Sequence, residues 1–157
     1  MKPIQKWLDE YGESHQNPLN KKIHWVCVPA IMFSIIGLFW SIPHHYMPIL
    51  YDNIHLNWAM IITILILSFY IRLSYIMALG MFAIGVFILF GNLLVENYFA
   101  TPLWIISLYI FVIAWIGQFI GHKIEGKKPS FFQDLQFLLI GPAWLLSFFY
   151  NKIGIKY

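Results

Sequence analysis

The strongest constraint in this sequence is a series of long apolar runs that no charged residue interrupts. Uncharged stretches of 29, 19, 23 and 26 residues separate, in order, Lys22, Asp52, Arg72, Glu96 and Lys123. A helix needs about 20 apolar residues to cross the hydrocarbon core of a bilayer, which is roughly 30 Å thick. Each run is therefore long enough to predict a transmembrane helix.

The composition excludes the main alternatives to a membrane protein. Apolar residues make up 60% of the chain and charged residues 11%, against roughly 45–50% and 25% in soluble domains. A soluble domain of 157 residues still exposes roughly a third of its unfolded surface to water. We therefore predict an integral membrane protein, and we exclude an ordinary soluble domain, a disordered chain and a nucleic-acid-binding module.

The order of the apolar runs predicts an all-α fold, a polytopic membrane helix bundle with four spans. Residues 1–157 are expected to form a single integral membrane domain. The N-terminal segment, residues 1–23, is polar and is predicted to be cytoplasmic. The transmembrane helices are expected at residues 24–42, 54–71, 73–95 and 100–121.

A fifth apolar segment follows these four spans. The uncharged run between Asp134 and Lys152 contains 17 residues, and Gly141-Pro142 interrupts it. Proline inside a helix removes a hydrogen-bond donor and clashes with the preceding turn. Residues 131–150 are therefore predicted to be a re-entrant or kinked fifth segment.

The basic residues predict the orientation of the bundle. With four spans and a re-entrant fifth segment, all ten Lys and Arg residues fall on one side. A complete fifth crossing would move Lys152 and Lys156 to the other side and leave eight basic residues on the first side. Because cytoplasmic loops carry the excess of basic residues, we expect the N-terminus in the cytoplasm, with residues 43–53 on the opposite face. The membrane would be a bacterial inner membrane or the endoplasmic reticulum.

Three of the six histidines fall on the predicted cytoplasmic side: His15, His24 and His122. Asn17-Pro18 predicts a helix start between the first two, because Asn is a favoured N-cap and Pro a favoured first helical residue. His24 then lies about two turns into the helix. His15 lies on the loop before it, which can fold back over the helix.

The third histidine lies on a polar helical face. Gln118, His122 and Glu125 follow a spacing that places them on one side of a helix, and Gly126 offers that helix a stop. Gly117 and Gly121 permit close approach of a neighbouring helix.

Three imidazoles indicate a metal site, because neutral imidazole binds iron, zinc, copper and nickel, and a three-ligand set leaves coordination positions open. Candidates for a fourth ligand, or for groups that orient the imidazoles, are Glu13, Glu125 and Asp134. The alternative is that each histidine is only a polar tip in headgroup water, and the residues alone leave both interpretations open. His44 and His45, beside Pro43, are predicted to form a solvated turn.

Two blocks of the sequence carry specific polar patterns. The N-terminal block YGESHQNPLNKKIHWVCVPAI contains H-x-N-x-x-N-x-x-x-H, followed by Val-Pro. The C-terminal block WIGQFIGHKIEGKKPSFFQDLQFLLIGP contains Q-F-x-G-H, followed by E-G-x-x-P. Both blocks resemble the DUF962 family, also called the Mpo1-like family.

The resemblance implies an Fe(II)-dependent dioxygenase that shortens 2-hydroxy fatty acids by one carbon, which is fatty acid α-oxidation. It implies Fe(2+) as cofactor, and a long-chain 2-hydroxy fatty acid, O₂ and the lipid bilayer as partners. It implies His15, His24 and His122 as catalytic metal ligands, with Glu125 as a further acidic ligand. Residues expected around this site, as supporting or substrate-binding groups, are Tyr11, Asn17, Asn20, Lys21 and Gln118.

The substrate's alkyl chain would need an apolar slot between the helices. Its carboxylate would be attracted by basic residues, unless these serve only as topology signals: Lys21, Lys22, Lys127 and Lys128. The alternative function is a non-catalytic or transport-type integral membrane protein with an interfacial metal site. No oligomeric state or chain-length preference is predicted.

Overall fold

A computed structural model of the chain describes residues 4–51, 54–126 and 137–157. The described residues form helices α1 (Ile4–Glu13), α2 (Pro18–Trp40), α3 (Trp58–Leu73), α4 (Tyr75–Tyr98), α5 (Leu103–Glu125) and α6 (Ile140–Ile153). Strands β1 (Ile49–Tyr51) and β2 (Ile54–His55) pair antiparallel between α2 and α3. The prediction of an all-α fold is confirmed.

Three helices, α2, α4 and α5, are long and apolar enough to cross a membrane, with 23, 24 and 23 residues. The apolar α3 has 16 residues and is about 24 Å long at 1.5 Å per residue. The predicted helix at residues 54–71 is wrong at its start. Ile54–His55 is a strand, and α3 begins only after Asn57, whose side chain accepts a hydrogen bond from the Met60 amide at 3.1 Å.

The helix ends that the sequence predicts near the histidines are confirmed. Asn17 caps α2, because its Oδ1 accepts hydrogen bonds from the amides of Leu19 and Asn20 at 2.8 and 3.4 Å. Pro18 is the first helical residue. At the other end, α5 stops at Gly126, which adopts a left-handed conformation (φ 72°) that favours glycine.

Helices α2 and α5 form the most closely packed pair, and small residues on α5 make this possible. A Cβ atom on Gly117 would lie 2.5 Å from the Sγ of Cys27. A Cβ atom on Gly121 would collide with the side chain of Asn20 and lie 3.1 Å from the ring of His24. The glycines thus bring the backbone of α5 against the polar start of α2, as their spacing predicts.

A short helix, α1, lies within the polar N-terminal segment, where the sequence analysis proposed no helix. Its apolar face consists of Ile4, Leu8 and Tyr11, which are all buried. Their spacing of four and three residues is the helical period, so the signal was present in the sequence. Through this face, α1 joins the apolar core formed with α3, α4 and α6.

Helix α6 packs against α1, α2 and α4. Its start is held to α3 by the Tyr70 hydroxyl, which donates to the carbonyl of Leu139. Its end is held to α4 by the Tyr150 hydroxyl, which donates to the carbonyl of Ile76 at 3.0 Å. The first part of the predicted segment 131–150 lies outside the described residues. In the described remainder, Gly141-Pro142 does not break a helix but occupies the first turn of one.

Candidate metal centre

Three histidines converge where α1, α2 and α5 meet. His15 lies on the loop between α1 and α2, His24 in the second turn of α2, and His122 in the last turn of α5. All three are buried, and their ligand nitrogens lie within 4.8 Å of one another. Among the residues that the structure describes, this is the one group of three or more metal-ligating side chains close enough to hold an ion.

Backbone carbonyls fix the orientation of two of the rings. The Nδ1 atom of His15 lies 2.6 Å from the carbonyl of Tyr11, and that of His24 lies 3.0 Å from the carbonyl of Asn20. A carbonyl can only accept, so each Nδ1 is assigned the proton. The lone pair of each ring is then on Nε2. Metal-binding histidines commonly donate their other ring N–H to a backbone carbonyl in this way.

The arrangement fits a single metal ion. Two imidazole nitrogens bound about 2.1 Å from one ion lie at most about 4.2 Å apart, so small ring rotations bring the three nitrogens onto one ion. The Nε2 atom of His24 is inaccessible and has no hydrogen-bond partner in the described part of the chain. A buried polar atom without a partner is costly, and a bound metal ion would remove that cost at this nitrogen.

Aromatic rings enclose the histidine cluster. Tyr11 stacks on His15 with ring centroids 4.1 Å apart and planes at 11°. The ring centroid of Trp144, on α6, lies 5.4 Å from that of His15 and 5.3 Å from that of Tyr11. These contacts hold the His15 ring in place and cover it on the side that faces α6. Tyr11 is among the residues predicted from the sequence, whereas Trp144 is not, because no pattern in the apolar C-terminal run distinguishes it.

Glu125 joins the N-terminal loop to the end of α5. Its Oε1 accepts a hydrogen bond from the amide of Gln16 at 2.8 Å, and its Oε2 accepts from the amide of Asn17 at 3.0 Å. Oε2 also accepts from the Nδ2 of Asn20 at 2.8 Å. Both carboxylate oxygens thus bind the loop that carries His15, and the role of Glu125 as a metal ligand stays a prediction.

The other predicted residues are distributed as follows. Asn20 is fully buried, whereas Lys21 and Gln118 are half-buried. Glu13 is exposed, and Asp134, Lys127 and Lys128 lie outside the described residues. His44 lies beyond the far end of α2, near a turn, with its ring 6.4 Å from that of His55.

The sequence is similar to a known protein family and to a named yeast protein. The family model described as "2-hydroxy-palmitic acid dioxygenase Mpo1-like" matches residues 1–153. The chain is 31% identical over 153 residues to the Saccharomyces cerevisiae protein named 2-hydroxy-palmitic acid dioxygenase MPO1. This match covers 96% of the chain and 82% of the relative. No solved structure matches the chain. On the family match and the identity together, the chain belongs to the Mpo1-like family.

Proposed function

We propose that this protein is an Fe(II)-dependent dioxygenase that shortens 2-hydroxy fatty acids by one carbon. The observation that carries the proposal is the buried set of three histidines with ligand nitrogens within 4.8 Å. The name of the yeast relative supports the substrate class. The reaction balances when one 2-hydroxy acid and one O₂ give the acid one carbon shorter, CO₂ and water.

The three histidines would hold the iron and leave coordination positions open, as three-ligand sites do. When bound, Fe(II) supplies the redox chemistry by which O₂ reacts at the bond between C1 and C2 of the acid. The carbonyls of Tyr11 and Asn20 keep the protons of His15 and His24 on Nδ1. Each of these two rings therefore presents an unprotonated Nε2.

The residues around the histidines position them and exclude water. Tyr11 and Trp144 cover the ring of His15. We assign Glu125 the role of a positioning residue, because its oxygens bind the loop that carries His15. Lys21 precedes His24 by three residues, on the same side of α2, and is the candidate to attract the substrate carboxylate.

We also propose that the chain crosses the membrane four times, through α2, α3, α4 and α5, with the histidines at the cytoplasmic face. Three of these helices are long and apolar enough by themselves. Arg72 lies in the last turn of α3. It would then share one side of the membrane with Lys21 and Lys22, which lie beside the histidines.

The test offers purified protein, loaded anaerobically with Fe(II), 2-hydroxyhexadecanoic acid and ¹⁸O₂. We expect pentadecanoic acid that carries ¹⁸O, and no reaction with hexadecanoic acid, which lacks the α-hydroxyl. Holding reacting groups in place commonly lowers a barrier by several kcal/mol, so losing the hydroxyl should nearly abolish turnover. Unlabelled product, or equal turnover of both acids, contradicts the proposal. Retained iron without any product would favour the non-catalytic or transport-type alternative.

A further inference from the structure

An apolar groove lies between α2, α4 and α6 and has a volume of about 500 Å³. That is within the range of small-molecule sites, about 300–1,000 Å³. Its lining residues include Val28, Ala30 and Phe33 of α2, Ile84 of α4, and Pro142 and Leu145 of α6. No charged side chain is among the lining residues in the described part of the chain. The groove is therefore suited to a hydrocarbon chain.

One end of the groove adjoins the histidine cluster. Val28 lies one helical turn beyond His24 on α2, so both occupy the same side of that helix. A Cβ atom on Gly141 would lie 3.0 Å from the Tyr11 hydroxyl and 3.4 Å from Cγ1 of Val28. The start of α6 thus joins the groove wall to the ring that stacks on His15.

Among the α2 residues that line the groove, Phe33 lies farthest along the helix from His24. A Cβ atom on Gly91 of α4 would come within 3.0 Å of the Cε2 atom of Phe33. Phe33 is nine residues beyond His24, which is about 13 Å along a helix. An extended chain advances roughly 1.2 Å per bond, so this distance corresponds to about eleven bonds of an alkyl chain.

We propose that this groove binds the hydrocarbon chain of the 2-hydroxy fatty acid, with the carboxylate at the histidines and the methyl end at Phe33. The inference rests on the proposed function and adds the part of the protein that selects chain length. The occupant is a substrate chain rather than a bilayer lipid, because the groove leads to buried histidines. Phe33 acts as the stop against which long chains are measured.

The first test changes the depth of the groove. Ala30→Phe adds a ring about 9 Å beyond His24 and should block long chains. We expect the ratio of kcat/KM for 2-hydroxydodecanoic acid to that for 2-hydroxyoctanoic acid to fall at least about tenfold, since buried methylenes provide most of the binding. Phe33→Ala should instead favour acids longer than about thirteen carbons, because about eleven bonds counted from C2 end at C13. Val26→Phe is the matched control, because Val26 is 71% exposed on the same helix and does not line the groove.

The second test does not depend on catalytic turnover and uses only wild-type protein. A 2-hydroxy fatty acid with a diazirine at its methyl end is photolysed with wild-type protein under anaerobic conditions, and the labelled peptides are mapped by mass spectrometry. We expect label around Phe33 and Gly91, and its loss when unlabelled 2-hydroxydodecanoic acid is in excess. If the label is spread over all lipid-facing helices and the competitor does not reduce it, the probe has labelled the protein from the bilayer only. That result would contradict the groove proposal.

The two tests separate the groove from the reaction. If the competitor removes the label but the protein does not shorten the acid, the groove proposal is supported and the dioxygenase proposal is contradicted. If the protein shortens the acid but Ala30→Phe and Phe33→Ala do not change its chain-length preference, the dioxygenase proposal is supported and the groove proposal is contradicted.

Discussion

Replacing Glu125 tests whether the anchored loop controls metal binding. In the native protein, this carboxylate only accepts hydrogen bonds, from the amides of Gln16 and Asn17 and from the side chain of Asn20. Glu125→Gln places an NH₂ donor against at least one of these donors, and Glu125→Ala removes both acceptors. Both changes should free the loop that carries His15.

The expected magnitude follows from the number and exposure of these bonds. Hydrogen bonds to a charged group contribute about 1.5–3 kcal/mol each, but the carboxylate is only half-buried and solvent screening reduces the sum. We expect a net loss of about 1.4–2.8 kcal/mol, which is about 10–100-fold in metal affinity. Groups that orient metal ligands typically have effects of that size.

The assay is an anaerobic Fe(II) titration against a chelator of known affinity. Glu96→Gln is the matched control, because Glu96 accepts a hydrogen bond from Trp40 at 2.7 Å, away from the histidines. In metal-free protein, the amides of Gln16 and Asn17 should exchange hydrogen faster in both Glu125 variants. Native iron affinity and native amide exchange in both Glu125 variants would refute the proposal that Glu125 holds this loop in place. A loss as complete as that of His24→Ala would make Glu125 a ligand instead.

Three further predictions concern the site and its sidedness. Wild-type protein should retain about one iron ion per chain, and this iron should be lost when His15, His24 and His122 are replaced together. A His44→Ala, His45→Ala variant should retain it. Equal iron retention in the two variants would eliminate the proposed ligands. Gly121→Leu should lower iron retention at least about tenfold, because its side chain would displace Asn20 and His24; Ile120→Leu, at an exposed position, should not. In a Cys27→Ser background, Lys123→Cys should react with thiol reagents only from the cytoplasmic side and Tyr46→Cys only from the other; the reverse would place the histidines outside.

Helix positions followed from the apolar runs, but the hairpin before α3 did not. Counting uncharged residues cannot separate a helix from a strand where Ile49, Leu50 and Ile54 continue the apolar character. The run that begins after Asp52 includes both strand β2 and most of α3. The physical boundary is Asn57, whose side chain caps α3, and one Asn in an apolar stretch is a weak signal.

The convergence of the three histidines was predictable from the sequence, but the contacts of the residues around them were less so. Helical spacing places Glu125 on the same face as His122, but spacing cannot tell whether a carboxylate turns towards an ion or towards a loop. The answer depends on the amide of Gln16, which is 109 residues away in sequence. The contact of Trp144 with His15 likewise depends on how α6 folds back across the bundle.

The histidines are widely separated in synthesis, although they meet in space. His15 and His24 are synthesised early, whereas His122 follows only after α3, α4 and most of α5 have been made. A nascent chain therefore cannot complete the set of three histidines, and iron could bind only after the last long helix has packed against the first. An ion that binds the folded chain and not the unfolded one stabilises it by mass action. Iron would thus stabilise the contact between the N-terminal loop, α2 and α5 after the whole bundle has been synthesised. Cells deprived of iron would be expected to lose the protein itself to proteolysis, as well as its activity.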